Sequence, residues 1–279
     1  METGYGVGRD SGPVSTRATS KGALLEEARA VFSAIGSGAT IEQARAACFT
    51  GELLRQSAHH SRHRIWEALH WRYFTWNPSA RVLADLGRAA RNEADPLEFT
   101  GLAYLHYARR DRLTFDLVTR KLWAAWGKGE RAISRDDVLD FLSEYEAHEA
   151  AVRRWRESTR KKLAGNVLSA LRDFGVLIGV QRKALQQPII RPTVVLHLCR
   201  LLDEEGLRGR ALIEARDWKL FLWGIAQTSA ALSQLAQVGE IAFERAGNTV
   251  MLEVPKAGEH AGNRRLGVED SRGDRSNPH

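Results

Sequence analysis

The 279-residue sequence predicts a mainly α fold, an N-terminal helical bundle followed by winged-helix elements with short β-hairpins. Three observations carry that expectation. Ala, Leu, Arg and Glu are abundant while Pro numbers only seven, a composition that favours helices. Apolar residues recur at spacings of three and four along most of the chain, the period of a helix with one buried face. In the second half, two helical stretches are each followed by a short run of β type, as in a helix backed by a hairpin.

The elements follow in order. Residues 1–20 are rich in Gly, Ser and Thr and lack an apolar segment, so a disordered tail without a secretory signal is expected. From Ser20 onward, Leu24, Leu25, Ala28, Val31, Phe32 and Ile35 mark a helix that closes at Gly36. Thr40 caps a short second helix through Ala47. A third, His63 to Phe74, carries Ile65, Trp66, Leu69 and Tyr73 on one side. Asn77 and Pro78 supply an N-cap and a first-turn residue for Ser79 to Ala90, and Asp95 and Pro96 repeat the device before Leu97 to Arg109. Arg112 to Trp126 completes a bundle domain over residues 21–129.

Gly127 and Gly129 mark the passage to a second domain, residues 130–254. Ser134 with Asp137 is a capping-box start for a helix striped by Val138, Phe141, Leu142 and Tyr145. That helix and the residues after it are acidic, with Asp136, Asp137, Asp140, Glu144, Glu146 and Glu149, and should lie beside the basic helix that follows. After the basic helix come Gly175 and a β-type run. Thr193 to Glu205 is helical and stopped by Gly206. Asp217 to Ile225 and Thr228 to Val238 are helical, and Glu240 to Arg245 and Thr249 to Val254 alternate across an Ala-Gly-Asn turn. Residues 255–279 form a second polar tail, also expected to be disordered. The uncharged run from Leu220 to Gly239 contains Gln227, Thr228, Ser229, Ser233, Gln234 and Gln237, whose burial in lipid would cost several kcal/mol. It reads as two soluble helices broken near Gln227 and Thr228, with no membrane association.

Several chemistries find no support. Cys48 and Cys199 lie far apart among apolar neighbours, against a disulfide framework or a metal site and in favour of a reducing cytoplasm. His59 and His63 share a helical face with His60 beside them, yet no Cys, Asp or Glu at matching spacing completes a metal site. Asp217-Trp218-Lys219 resembles the end of a nuclease pattern but lacks an upstream carboxylate on a strand. No phosphate-binding glycine loop, dinucleotide fingerprint or nucleophile elbow occurs. Trp66, Trp71, Trp76, Trp123 and Trp126 read as packing residues. The expectation is a non-enzymatic protein without a cofactor.

Charge points elsewhere. Between Ala151 and Arg191 stand ten Lys and Arg against only Glu157 and Asp173, while the whole chain is only +7. The basic character therefore belongs to one element, as in a nucleic-acid contact. At 100° per residue, Leu163, Val167, Ala170, Leu171 and Phe174 fall on one apolar arc, and Ser158, Lys161, Lys162, Gly165, Ser169 and Arg172 lie roughly opposite. Small residues leave room for a DNA groove while Lys and Arg reach phosphates. The reading gives Ser158 or Thr159 as N-cap and puts Arg160, Lys161 and Lys162 in the first turn. There the helix dipole disfavours cations by about 0.3–1 kcal/mol each, a cost that a bound anion would reverse. Arg153, Arg154, Arg156 and Asn166 complete the candidate face, with Arg182 and Lys183 on a wing. Thr228 to Val238 has no Lys or Arg, which suits packing or partner binding. Two rival readings are an RNA-binding module using the His59 to Arg72 strip, and a scaffold whose acidic and basic helices meet complementary proteins.

Two stretches carry a resemblance: Ser61-Arg62-His63-Arg64-Ile65-Trp66 with Arg72-Tyr73-Phe74, and Trp155-Arg156-Glu157-Ser158-Thr159-Arg160-Lys161-Lys162-Leu163 with Gly175-Val176-Leu177. In that order, over residues 20–254, the chain resembles BrxA, an accessory protein of BREX (bacteriophage exclusion) systems. The resemblance implies a cytoplasmic, non-enzymatic, double-stranded DNA-binding protein whose helical N-terminal domain is similar to the antitermination factor NusB, followed by winged-helix elements. It also implies phage-defence partners: a methyltransferase, an ATPase and a phosphatase-like protein.

Overall fold

The computed structural model describes residues 14–17, 21–56, 58–246 and 249–255. Apart from Val14 to Arg17 and Pro255, the two expected tails lie outside the described residues. Val14 is buried in the main apolar cluster, so packing reaches into the segment expected to be a tail.

Five helices build the first layer: α1 (Leu25–Gly36), α2 (Ile41–Thr50), α3 (His59–Tyr73), α4 (Ala80–Arg91) and α5 (Pro96–Arg110). Thr40 opens α2 with a full capping box, its hydroxyl accepting from the Gln43 amide at 3.1 Å while the Gln43 side chain accepts from the Thr40 amide at 2.8 Å. The third helix starts at His59, four residues before the expected start at His63, because its first turn buries no apolar side chain that periodicity could register. The N-cap of α4 is Ser79, not Asn77. Asn77 instead turns the chain in the left-handed region (φ 55°), and the Ser79 hydroxyl accepts from the Val82 amide. Pro96 opens α5 as expected, but Asp95 makes no capping bond and pairs with Arg191 at 2.7 Å.

Twelve of the fifteen residues of α5 are buried, so this helix is the centre about which the others pack. α1, α3 and α4 contact it, and so does α11 (Pro192–Glu204) from the second half of the chain. The expected helix Arg112 to Trp126 is instead α6 (Arg112–Asp116), a π-helical turn (Leu117–Leu122) and α7 (Trp123–Gly127). Such widened turns occur often at functional sites.

Next come β1 (Ala132–Ile133), α8 (Arg135–Tyr145), α9 (Ala150–Arg153), α10 (Glu157–Asp173), β2 (Leu177–Ile178) and β3 (Lys183–Leu185). The strands form an antiparallel sheet in the order β1-β3-β2, with Ala132 and Ile178 both opposite Ala184. After α11, the chain forms α12 (Gly209–Ile213), a 3-10 helix (Arg216–Phe221), α13 (Ile225–Gln237) and the hairpin of β4 (Ala242–Ala246) and β5 (Thr249–Glu253). The break expected near Gln227 and Thr228 falls at Leu222 to Gly224. Leu222 turns left-handed (φ 57°), and the Gln227 side chain accepts from the Gly224 amide at 3.0 Å, capping α13 from within. Among the described residues no helix is long and apolar enough to cross a membrane.

Ionic ties join the two halves. Arg109 of α5 is fully buried, paired with Asp217 at 2.7 Å and with Glu205. Asp217, the carboxylate of the nuclease-like tripeptide, is thus committed to a structural pair. Cys48 and Cys199 are free and buried, and burial pushes their thiols up to about 11 and about 12.

Candidate nucleic-acid interface

The basic helix forms where the charge pattern places it, but its start differs. α10 begins at Glu157 with Arg156 as N-cap and no side-chain capping bond, so neither Ser158 nor Thr159 is the cap. Glu157, Ser158 and Thr159 fill the first turn, where a carboxylate suits the positive end of the dipole. Arg160, Lys161 and Lys162 therefore lie in the second turn. The predicted apolar arc is buried in full: Leu163, Val167, Ala170, Leu171 and Phe174 all face the interior, anchored by the ring contact of Phe174 with Tyr107 at 5.2 Å.

The outward residues divide by what they touch. Arg160 is tied down: it pairs with Glu146 and donates to the Trp155 and Val152 carbonyls at 3.2 and 3.0 Å. Its work is to fasten the start of α10 to the end of α8 and to α9. Lys161 pairs with Glu157 one turn back, Arg172 with its neighbour Asp173, and Lys183 donates to the Val180 carbonyl at 2.7 Å. Arg153, Arg154, Arg156, Lys162 and Arg182 are exposed and have no carboxylate partner among the described residues. Arg153 ends α9, Arg154 follows it in the turn, and Arg156 is the N-cap of α10. Ser158 is exposed, and Thr159, Gly165, Asn166 and Ser169 are half-buried.

One residue escaped the sequence reading. Arg135, the first residue of α8, is exposed, and its guanidinium lies 3.9 Å from where a β-carbon on Gly165 would stand. It adds a cation to the α10 face from another helix. The only sequence signal was its position directly after Ser134, the cap of α8. The turn between β2 and β3 depends on Gly179 (φ 93°), where a β-carbon would sit 2.1 Å from the Arg182 carbonyl oxygen. Ile178 and Val180 project from the same hairpin into solvent.

The His59 to Arg72 strip is not one surface. Arg72 is buried and donates to the Ala23 and Gly22 carbonyls, each at 2.9 Å, and Arg62 donates to the Phe49 and Gln56 carbonyls. His63 stacks on Phe49 at 5.3 Å, and only His59, His60, Arg64 and His70 of the strip's basic residues remain exposed. Trp66 and Tyr73 are buried against Phe74 and Phe32, so the first resemblance motif is mostly a packing pattern.

This is a mainly helical protein in which one long helix, backed by a three-stranded sheet, presents a face of small and cationic side chains. The sequence model of the BrxA family matches residues 13–202, and the chain belongs to that family, whose members are accessory proteins of BREX phage defence. Among curated proteins no sequence matches this chain. A crystal structure of an uncharacterized protein from Magnetospirillum magneticum is similar in fold. It has a TM-score of 0.60 and 16% identity, and the match covers 76% of this chain and 100% of that one.

Proposed function

We propose that this chain is a double-stranded DNA-binding accessory protein that performs no chemistry of its own. Apart from the short α9 between α8 and α10, the order of α6 to α7, β1, α8, α10, β2 and β3 follows the helix, strand, two helices and wing of a winged helix, in which the last helix enters the major groove. The observation that carries the reading is the set of five exposed cations, Arg153, Arg154, Arg156, Lys162 and Arg182, on one helix start and its hairpin without carboxylate partners among the described residues. Arg153, Arg154 and Arg156 contact phosphates at the start of α10, where free amides also favour an anion. Ser158, Lys162, Gly165 and Ser169 lie along the groove, and Arg182 reaches the flanking backbone. Lys161 and Arg172 exchange an intramolecular carboxylate for a phosphate on binding. In the cytoplasm, such a protein would serve DNA to the methyltransferase, ATPase and phosphatase-like proteins of the defence system.

The test is the affinity for a short DNA duplex of the full chain and of a variant carrying Arg154→Glu, Lys162→Glu and Arg182→Glu. Three exposed substitutions leave the helical circular dichroism unchanged and weaken binding by more than about 100-fold, at roughly 1 kcal/mol or more per reversed contact. Equal affinity of the two proteins refutes the assignment. Competition with structured RNA of equal length separates DNA from RNA binding.

A further inference from the structure

A second cationic site lies away from α10. The π-helical turn Leu117–Leu122 packs against the 3-10 helix Arg216–Phe221. Between them opens a cleft of about 540 Å³ lined by Asp116, Thr119, Arg120, Trp123, Arg216 and Lys219. A 3-10 helix repeats every three residues, so Arg216 and Lys219 stand on the same face, one above the other. Their like charges are incompletely balanced. Asp116 accepts from Arg216 at 2.8 Å but also from the Tyr145 hydroxyl at 2.6 Å. Lys219 has no carboxylate partner among the described residues and rests its ammonium over the Trp123 ring at 4.1 Å. Arg120, exposed on the opposite wall, has none either.

We propose that this cleft binds a phosphate group, held by Arg120 and Lys219 with Arg216, which donates to the Thr119 hydroxyl at 3.1 Å, behind them. Three cations converge on a cleft that holds one carboxylate, already shared by two donors. An anion with several acceptor oxygens supplies the missing charge and gives Arg120 and Lys219 a partner. Partial burial and the nearby Arg216 charge both lower the pKa of Lys219, the cost of holding two cations together that a bound anion would relieve. The site is separate from the α10 face, and it extends the DNA-binding reading only if its phosphate belongs to DNA.

Two measurements on the full chain test the proposal and distinguish the sources of the phosphate, with the variant Arg120→Gln/Lys219→Gln and the single variant Arg120→Gln as a control that disturbs no packed side chain. The first is thermal unfolding with inorganic pyrophosphate against sodium chloride of matched ionic strength. Pyrophosphate raises the melting temperature of the wild type and not that of the double variant if a small phosphate ligand is bound. The second is the salt dependence of duplex affinity, whose log-log slope falls in magnitude by about 1 in the double variant if the phosphate is a DNA phosphodiester. Either change supports the site. Identical pyrophosphate response together with identical slope overturns it. A chain that binds no duplex would defeat the proposed function alone, since the pyrophosphate measurement still decides this site.

Discussion

Arg160 of α10 is ion-paired with Glu146 at the end of α8, and the same guanidinium holds the carbonyls of Val152 and Trp155. The most basic triplet of the sequence, Arg160 to Lys162, therefore contains one residue that builds the interface rather than forming it. Arg160→Ala should lower stability by about 1–3 kcal/mol, because it strips a charged partner from Glu146 and two donors from half-buried carbonyls. Lys162→Ala should leave stability within about 0.5 kcal/mol and weaken duplex binding. Urea unfolding and fluorescence anisotropy on both variants check the division. The reverse pattern would make Arg160 the contact and Lys162 the support.

The junction between the two halves should be acid-sensitive. His106 of α5 and His197 of α11 are buried with their Nε2 atoms 2.9 Å apart, and Asp85 of α4 lies 2.6 Å from His197 Nδ1. Arg81, Arg88 and Arg109 also face this cluster. Burial lowers the pKa of His197 despite Asp85, and burial, His197 and the arginines lower that of His106 further. For Asp85, burial acts upward, but the His197 hydrogen bond and the charges of His197, Arg81 and Arg88 hold its carboxyl below the usual range. A histidine depressed in the folded state binds its proton only after unfolding. Stability is then unaffected above the ordinary value of about 6.5 and falls as pH drops below it, by up to about 1.4 kcal/mol per pH unit for each ring. Chemical unfolding at pH 7.5, 6.5 and 5.5 should show this slope in the wild type and a shallower one in His106→Gln. An equal slope in both proteins would remove the pair as its source.

Gly87 should tolerate no side chain. A β-carbon there would lie 2.8 Å from the α-carbon of Gly36, where α1 crosses α4 backbone to backbone. Gly to Ala in a helix ordinarily gains up to about 1 kcal/mol, but overpacking against a rigid backbone costs about 1–3 kcal/mol and wins. Gly87→Ala should lower the melting temperature by several degrees, and an unchanged or raised value would contradict the close crossing.

Gly179→Ala should act on the hairpin alone. The left-handed backbone and the contact with the Arg182 carbonyl oxygen make the β2 to β3 turn inaccessible to Ala without rearrangement, at about 1–2 kcal/mol or more. Duplex affinity should fall several-fold while the helical circular dichroism stays the same. Full affinity would show that the hairpin tip takes no part in binding.

How far the sequence discloses this molecule depends on the range of the interaction. Local signals were legible: the Thr40 cap, the Ser134 capping box, Pro96 at the start of α5 and the apolar arc of α10 all rest on residues within a few positions of one another. Asn77 misled because Asn serves both as an N-cap and as a left-handed turn residue, and Ser79 two positions later takes the cap. The five-residue α12 is too short for periodicity to register. At the interface, the block of charge was visible, yet which cations stay free depends on Glu146, Asp95 and other partners brought up by folding. Arg135 and the pairing of Arg216 and Lys219 across from Arg120 were hidden for the same reason, since their neighbours are distant in sequence.

The salt dependence of duplex affinity decides whether the cations of α10 and its hairpin meet DNA phosphates. With the five cations that lack a carboxylate partner among the described residues engaging phosphates, and Lys161 and Arg172 joining them, log affinity should fall linearly with log salt with a slope of about −4 to −6, a loss of at least several hundred-fold between about 50 and 200 mM. Affinity that stays constant over that range would contradict the account, because no interface built from these residues could bind DNA without displacing counterions.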